Sequence, residues 1–190
     1  MSEHRPVLMV VDVQHGFVND QSAHVVPVVA VLTRAWLDAG GQVIFTRYRN
    51  EPGSLYERLI GWYELHAEQQ IALAPEVESF LAEPGTSVVD KTVYTALTAE
   101  GLALIEAGGY TDVVVCGIAT DACVLATVIS AFDHGLTPWV VTDACASNAS
   151  RHEAAEVHRM ALVLMGRLTG ESQLITAREA LMLLPDSVAR

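Results

Sequence analysis

Three side chains able to do covalent and proton-transfer chemistry stand where apolar runs end. Asp12 follows residues 7–11, Lys91 follows residues 87–89, and Cys123 lies shortly past residues 113–116. A thiol can attack a carbonyl carbon. A carboxylate held anionic by a cation can take the thiol proton and return it to a leaving amine. Each residue also has a plainer reading: Asp12 as a brace for a loop, Lys91 as only its ion-pair partner, Cys123 as a small buried apolar residue. Two features favour the chemical reading. An acidic residue that interrupts an apolar run must be solvated, paired or functional. The chain also uses Arg ten times and Lys once, which singles out Lys91 as the one compact ammonium.

Cys123 closes the segment Cys116-Gly-Ile-Ala-Thr-Asp-Ala-Cys123. Thr120 or Asp121 would cap a helix there and put Cys123 in its first turn. The helix dipole at that place favours a thiolate, and unpaired backbone N–H groups can hold an oxyanion. Cys116, inside an apolar run, reads as core, and Cys145 as mostly structural. Three widely spaced cysteines suit neither a disulfide framework nor a Cys-x-x-Cys site.

The elements that must position these groups follow from periodicity. Residues 7–11, 43–45, 113–116 and 139–141 are short, Val-rich runs that read as strands buried on both faces, with shorter strands near 87–89 and 173–175. Between them Val25, Val28, Val29, Leu32 and Trp36 recur at helical spacing, stopped by Gly40 and Gly41. Further helices are expected from about 98 to 108, 121 to 134 and 151 to 165. Ser150 with Glu153, and Thr176 with Glu179, give capping boxes for the fourth and the C-terminal helix. Six strands alternating with helices predict an α/β fold, a doubly wound six-stranded parallel sheet in a three-layer α-β-α sandwich. Residues 48–74 read as a loop with short helices that covers a site. In such a sheet ligands bind beyond the carboxyl ends of the strands where strand order reverses, the edge on which Asp12, Lys91 and Cys123 converge.

The bulk properties narrow the class. No stretch looks like a linker, so residues 1–190 read as one domain. No apolar run approaches the roughly 20 residues of a membrane span, and residues 1–6 lack a secretory pattern. No membrane association and a cytoplasmic location are therefore expected. A net charge of −12, with no basic cluster, argues against a nucleic-acid partner.

Four segments together resemble a known family: Val10-Val-Asp-Val-Gln14, Lys91-Thr-Val-Tyr-Thr-Ala-Leu97, Cys116-Gly-Ile-Ala-Thr-Asp-Ala-Cys-Val124 and Val141-Thr-Asp-Ala144. In this order and spacing they resemble the signatures of the isochorismatase-like cysteine hydrolases, over residues 6–184. The resemblance implies an Asp-Lys-Cys triad at Asp12, Lys91 and Cys123. It also implies a non-proline cis peptide between Ile118 and Ala119, which turns the Ala119 N–H toward the oxyanion beside that of Cys123. The implied reaction is thiolate attack on a small amide or ureido carbonyl, loss of the amine, and hydrolysis of the thioester, without a cofactor. Relatives of this kind are usually homo-oligomers, dimers or tetramers.

Departures from the family pattern bear on the substrate. Nicotinamidases of this superfamily carry an Asp-x-His pair for a metal after the second strand, where this chain reads Thr46-Arg-Tyr-Arg-Asn-Glu-Pro-Gly53. No metal is therefore predicted, with His66 at most a lone ligand, and nicotinamide is disfavoured. Leu97 replaces a usual aromatic and is expected to reshape a pocket wall. Gln14, Phe17, Asn50, Trp62 and Tyr94 are candidates for binding substrate. Three rivals remain. A dinucleotide-binding dehydrogenase fails because no Gly-x-Gly-x-x-Gly follows the first strand. A catalytically idle oligomeric scaffold is opposed by the intact triad. A vinyl ether hydrolase of isochorismatase type would not need Cys123.

Overall fold

The apolar runs become six parallel strands of one sheet in a computed structural model that describes residues 4–184. Residues 1–3 of the polar start and 185–190 of the expected 1–190 domain lie outside the described residues. The strands are β1 (Pro6–Val11), β2 (Val43–Tyr48), β3 (Thr86–Lys91), β4 (Asp112–Ile118), β5 (Thr137–Ala146) and β6 (Leu174–Ile175), in the order β3-β2-β1-β4-β5-β6. Every residue of β1 and β4 is buried, as continuous apolar runs in a sheet covered on both faces must be. The chain winds outward from β1 through β2 to β3, then returns to the centre and winds the other way from β4 to β6. Strand order therefore reverses between β1 and β4, whose carboxyl ends carry Asp12 and the segment leading to Cys123.

Among the described residues six helices lie between the strands, α1 (Val26–Asp38), α2 (Glu68–Ile71), α3 (Pro75–Glu78), α4 (Ala99–Gly108), α5 (Leu125–Asp133) and α6 (Ala154–Thr169), and α7 (Ala177–Leu181) follows the last strand. α1 packs with α7, and α5 packs with α6. α1 buries Val29, Leu32 and Trp36 of the expected stripe together with Val26, while Val25 is buried in the turn just before the helix and Val28 is only partly covered; the Trp36 indole N–H donates to the Gln42 carbonyl at 3.0 Å. Thr98 caps α4, and Thr176 with Glu179 forms the expected capping box on α7. No helix among the described residues is long and apolar enough to cross a membrane.

Two local expectations are corrected. Ser150 and Glu153 form no capping box. α6 begins only at Ala154, because the preceding segment is tied to the loop after β1: Asn148 Nδ2 donates to the Phe17 carbonyl at 3.1 Å and Asn19 Nδ2 to the Asn148 carbonyl at 3.0 Å. Neither Thr120 nor Asp121 caps the helix before Cys123. Ala119 occupies the cap position, and residues Thr120–Val124 form a wide π-type turn ahead of α5. The Thr120 hydroxyl is engaged instead with His158 Nδ1 at 2.8 Å.

Candidate active site

Asp12 leaves β1 with φ of 49°, a left-handed conformation that Asp tolerates better than most residues. Its backbone N–H donates to Thr46 Oγ1 at 3.2 Å, while the Thr46 hydroxyl donates to Asp12 Oδ1 at 2.6 Å. Lys91 Nζ stands 2.6 Å from Asp12 Oδ2 with both side chains fully buried, and donates to the carbonyls of Val93 and Tyr94 at 3.0 Å each. All three ammonium protons thus have oxygen partners, and the carboxylate is gripped on both oxygens. Thr46 was missed by sequence reasoning. Its signal was a hydroxyl in an otherwise apolar strand, Val43-Ile-Phe-Thr46.

Gly117, also missed, brings the nucleophile segment to this pair. It lies opposite Val11 with φ of 121°, and a Cβ there would stand 2.1 Å from the Val11 carbonyl oxygen. Only glycine lets the end of β4 come so close to the end of β1. One residue further on, the Ile118–Ala119 peptide bond is cis. The Ala119 carbonyl accepts from the N–H groups of Ala122 and Val124, closing the turn that presents Cys123. The Thr127 hydroxyl donates to the Cys123 carbonyl at 2.6 Å and accepts the Ala96 N–H at 2.9 Å, which ties that turn to the loop after Lys91.

The Cys123 thiol is coupled to both partners by charge and hydrogen bonding. Burial pushes the thiol up and the Asp12 carboxylate pushes it further, against an opposing pull from Lys91. That direction is opposite to the one expected from the helix dipole: loss of water and a neighbouring anion both favour the neutral thiol. For Lys91, burial works toward deprotonation, but Asp12 and Cys123 outweigh it and raise the ammonium above its ordinary value. The carboxylate beside it thus favours the charged form of the ammonium.

A cavity of about 280 Å³ opens on the sulfur. Ala119 and Cys123 line it, as do Phe17, Trp62 and Tyr94 among the residues singled out from the sequence. Phe17 and Trp62 stack at 5.7 Å with planes 6° apart, and the Tyr56 and Tyr94 rings meet edge to face at 5.0 Å. Tyr48 and Tyr56 complete the aromatic wall and were not anticipated; Tyr56 comes from the π-type turn Tyr56–Ile60 in the covering segment.

Gln14 and Asn50, expected to bind substrate, do not line this cavity. Gln14 is buried, its amide N–H₂ donating to the carbonyls of Tyr48 and Ile71 and its oxygen accepting the Tyr48 N–H. Asn50 donates to the carbonyls of Trp62 and Glu64 and accepts from Ser54 Oγ. Both hold the wall and have no amide group directed at a ligand. Leu97 is likewise a core residue and not part of the wall.

The residues after β2 do not fit a metal. Arg49 pairs with Glu68 at 2.7 Å, Asn50 is engaged as above, and His66 Nε2 is bound to Glu57 at 2.9 Å. Among the described residues no three of His, Cys, Asp and Glu gather in a ligating cluster.

Residues 6–172 match the family model described as the isochorismatase domain. A curated relative, the phenazine biosynthesis protein PhzD1 of Pseudomonas aeruginosa, is 28% identical over 83% of this chain and 77% of its own length. Among solved structures, a pyrazinamidase/nicotinamidase from Streptococcus mutans superposes with a TM-score of 0.76 at 22% identity, covering 90% of this chain and 98% of the other. An N-carbamoylsarcosine amidase from Thermoplasma acidophilum gives 0.77 at 20% identity, covering 91% and 96%. At these identities the two structures speak for the fold alone.

Proposed function

The chain belongs to the isochorismatase family, a group of hydrolases that includes amidases, and on that premise we propose that it cleaves the C–N bond of a small amide or ureido substrate through Cys123. The observation that carries the proposal is the buried constellation itself: a thiol coupled to an Asp-Lys ion pair at the floor of a cavity. A structural ion pair needs no thiol between it and an opening.

The chemistry follows from the protonation states. At rest the proton is on sulfur and Lys91 is charged. As the sulfur attacks the carbonyl carbon, its proton passes to Asp12, which Thr46 and Lys91 hold in place. The oxyanion forms near the backbone N–H groups of Ala119 and Cys123, where fixed donors are worth most. Asp12 then gives the proton to the departing nitrogen, the C–N bond breaks and a thioester remains. Water, losing a proton to Asp12, attacks the thioester, and the thiol is regenerated with the carboxylic acid released. One amide and one water become one acid and one amine.

The test is ammonia release from a panel of primary amides, comparing wild type with Cys123→Ala and Asp12→Asn. Release should vanish in both variants. Turnover of a vinyl ether by Cys123→Ala, with loss in Asp12→Asn alone, would replace this reading with the thiol-independent one.

A further inference from the structure

Aromatic residues of the site also line a second, neighbouring hollow. It is a groove of about 470 Å³, and Tyr48, Tyr56, Ile60 and Tyr94 line both hollows. Its remaining apolar surface comes from Leu55, Leu59 and Val93, residues that stand 58%, 77% and 44% exposed. Among the described residues lining the two hollows, Glu51 alone carries a charge.

We propose that this groove is the subsite for an apolar tail of the substrate, so that the preferred substrate is an uncharged amide bearing an aliphatic chain of several carbons. The inference rests on the hydrolase reading above, since it takes the carbonyl at Cys123 as the start of the tail. On this proposal a chain leaving the reacting carbon passes the shared residues Tyr48, Tyr56, Ile60 and Tyr94 and lies against Leu55, Leu59 and Val93, with Glu51, Ser54 and Thr92 as the other lining of the groove. Each methylene laid there leaves water for an apolar surface and removes exposed Leu and Val area at the same time. A tail ending in a carboxylate finds no cation on either lining and has to lose its hydration uncompensated. Short amides fill the cavity at the sulfur and leave the groove in water.

Two readouts on the intact protein test this. The first is kcat/KM for ammonia release from acetamide, butanamide, hexanamide and octanamide, with the monoamide of hexanedioic acid as the carboxylate-ended control. The second is protection of Cys123 from iodoacetamide by the same compounds, read by intact mass. Both should rise about two- to fourfold per methylene, and the carboxylate-ended amide should fall at least tenfold below hexanamide. Leu59→Asp, at an exposed position, should bring octanamide down to the level of acetamide. Equal values for acetamide and octanamide in both readouts would overturn the proposal. So would a Leu59→Asp variant that keeps the length series but halves the particle mass in light scattering, which would make the groove a contact between copies. Protection that grows with length without any ammonia release would support the subsite while sinking the hydrolase reading, so the two failures are distinguishable.

Discussion

Asp12 Oδ2 and Lys91 Nζ meet at 2.6 Å with neither side chain touching solvent. A buried pair of this kind is held in place by the expense of leaving either charge alone. Lys91→Met should therefore destabilise the fold by about 3–5 kcal/mol as well as abolish turnover. The double variant Asp12→Asn, Lys91→Met should recover much of that stability and none of the activity. Urea denaturation of the three proteins checks the first statement and ammonia release the second.

Thr46 has no part in the bond-making steps, yet it fixes the orientation of the base by donating to Asp12 Oδ1. Thr46→Val keeps the shape and removes the donor. The expected result is a kcat lowered about tenfold with KM little changed, the pattern of a group that acts on the transition state through another. A change confined to KM would contradict this role.

Gln14 distinguishes the corrected reading from the expected one. Its three hydrogen bonds join the loop after β1 to the end of β2 and to α2. Gln14→Leu removes the side-chain partner of the Tyr48 N–H and of the Tyr48 and Ile71 carbonyls and should cost about 2–4 kcal/mol. The activity of the molecules that remain folded should stay within about threefold of wild type. Denaturation midpoints and steady-state kinetics at low temperature separate the two effects.

The thiols set an alkaline limit. Burial pushes Cys123 up, with Asp12 adding to it, pushes Cys116 well up, and pushes Cys145 up to about 12. A group raised in the folded state contributes stability that is complete below its unfolded value and lost as pH climbs toward the folded one. The ordinary thiol value is 9.0, so the melting temperature should hold to about pH 8.5 and fall steadily above pH 9. Cys123→Ala should soften that fall. Iodoacetamide labelling of wild type should keep accelerating through pH 9; a plateau near neutrality would mean that the helix dipole prevails after all.

Much of this arrangement was legible in the residues. The parallel sheet could be read because runs such as 7–11 and 113–116 have no polar face, and the meeting of Asp12 with Lys91 because each stands at the carboxyl end of a strand on the same sheet edge, toward which the turn carrying Cys123 also leads. Three things were not legible, each for its own reason. Thr46 is one residue in a strand, and only the register of β2 beside β1 puts its hydroxyl on Asp12. The charge state of Cys123 depends on how much water the fold removes, which spacing does not report. Gln14 and Asn50 look like binding residues in a sequence because their amides suit a ligand; their partners prove to be backbone groups, of β2 and α2 for Gln14 and of the irregular stretch at Trp62 and Glu64 for Asn50.

The most direct test of the central claim is the intact mass of the enzyme, acid-quenched during turnover of hexanamide. The account predicts a species heavier by the hexanoyl group, mapped to Cys123, in step with ammonia release, and neither signal in Cys123→Ala. Ammonia release that survives Cys123→Ala, or a wild-type protein that releases none from any amide of the series, would contradict it.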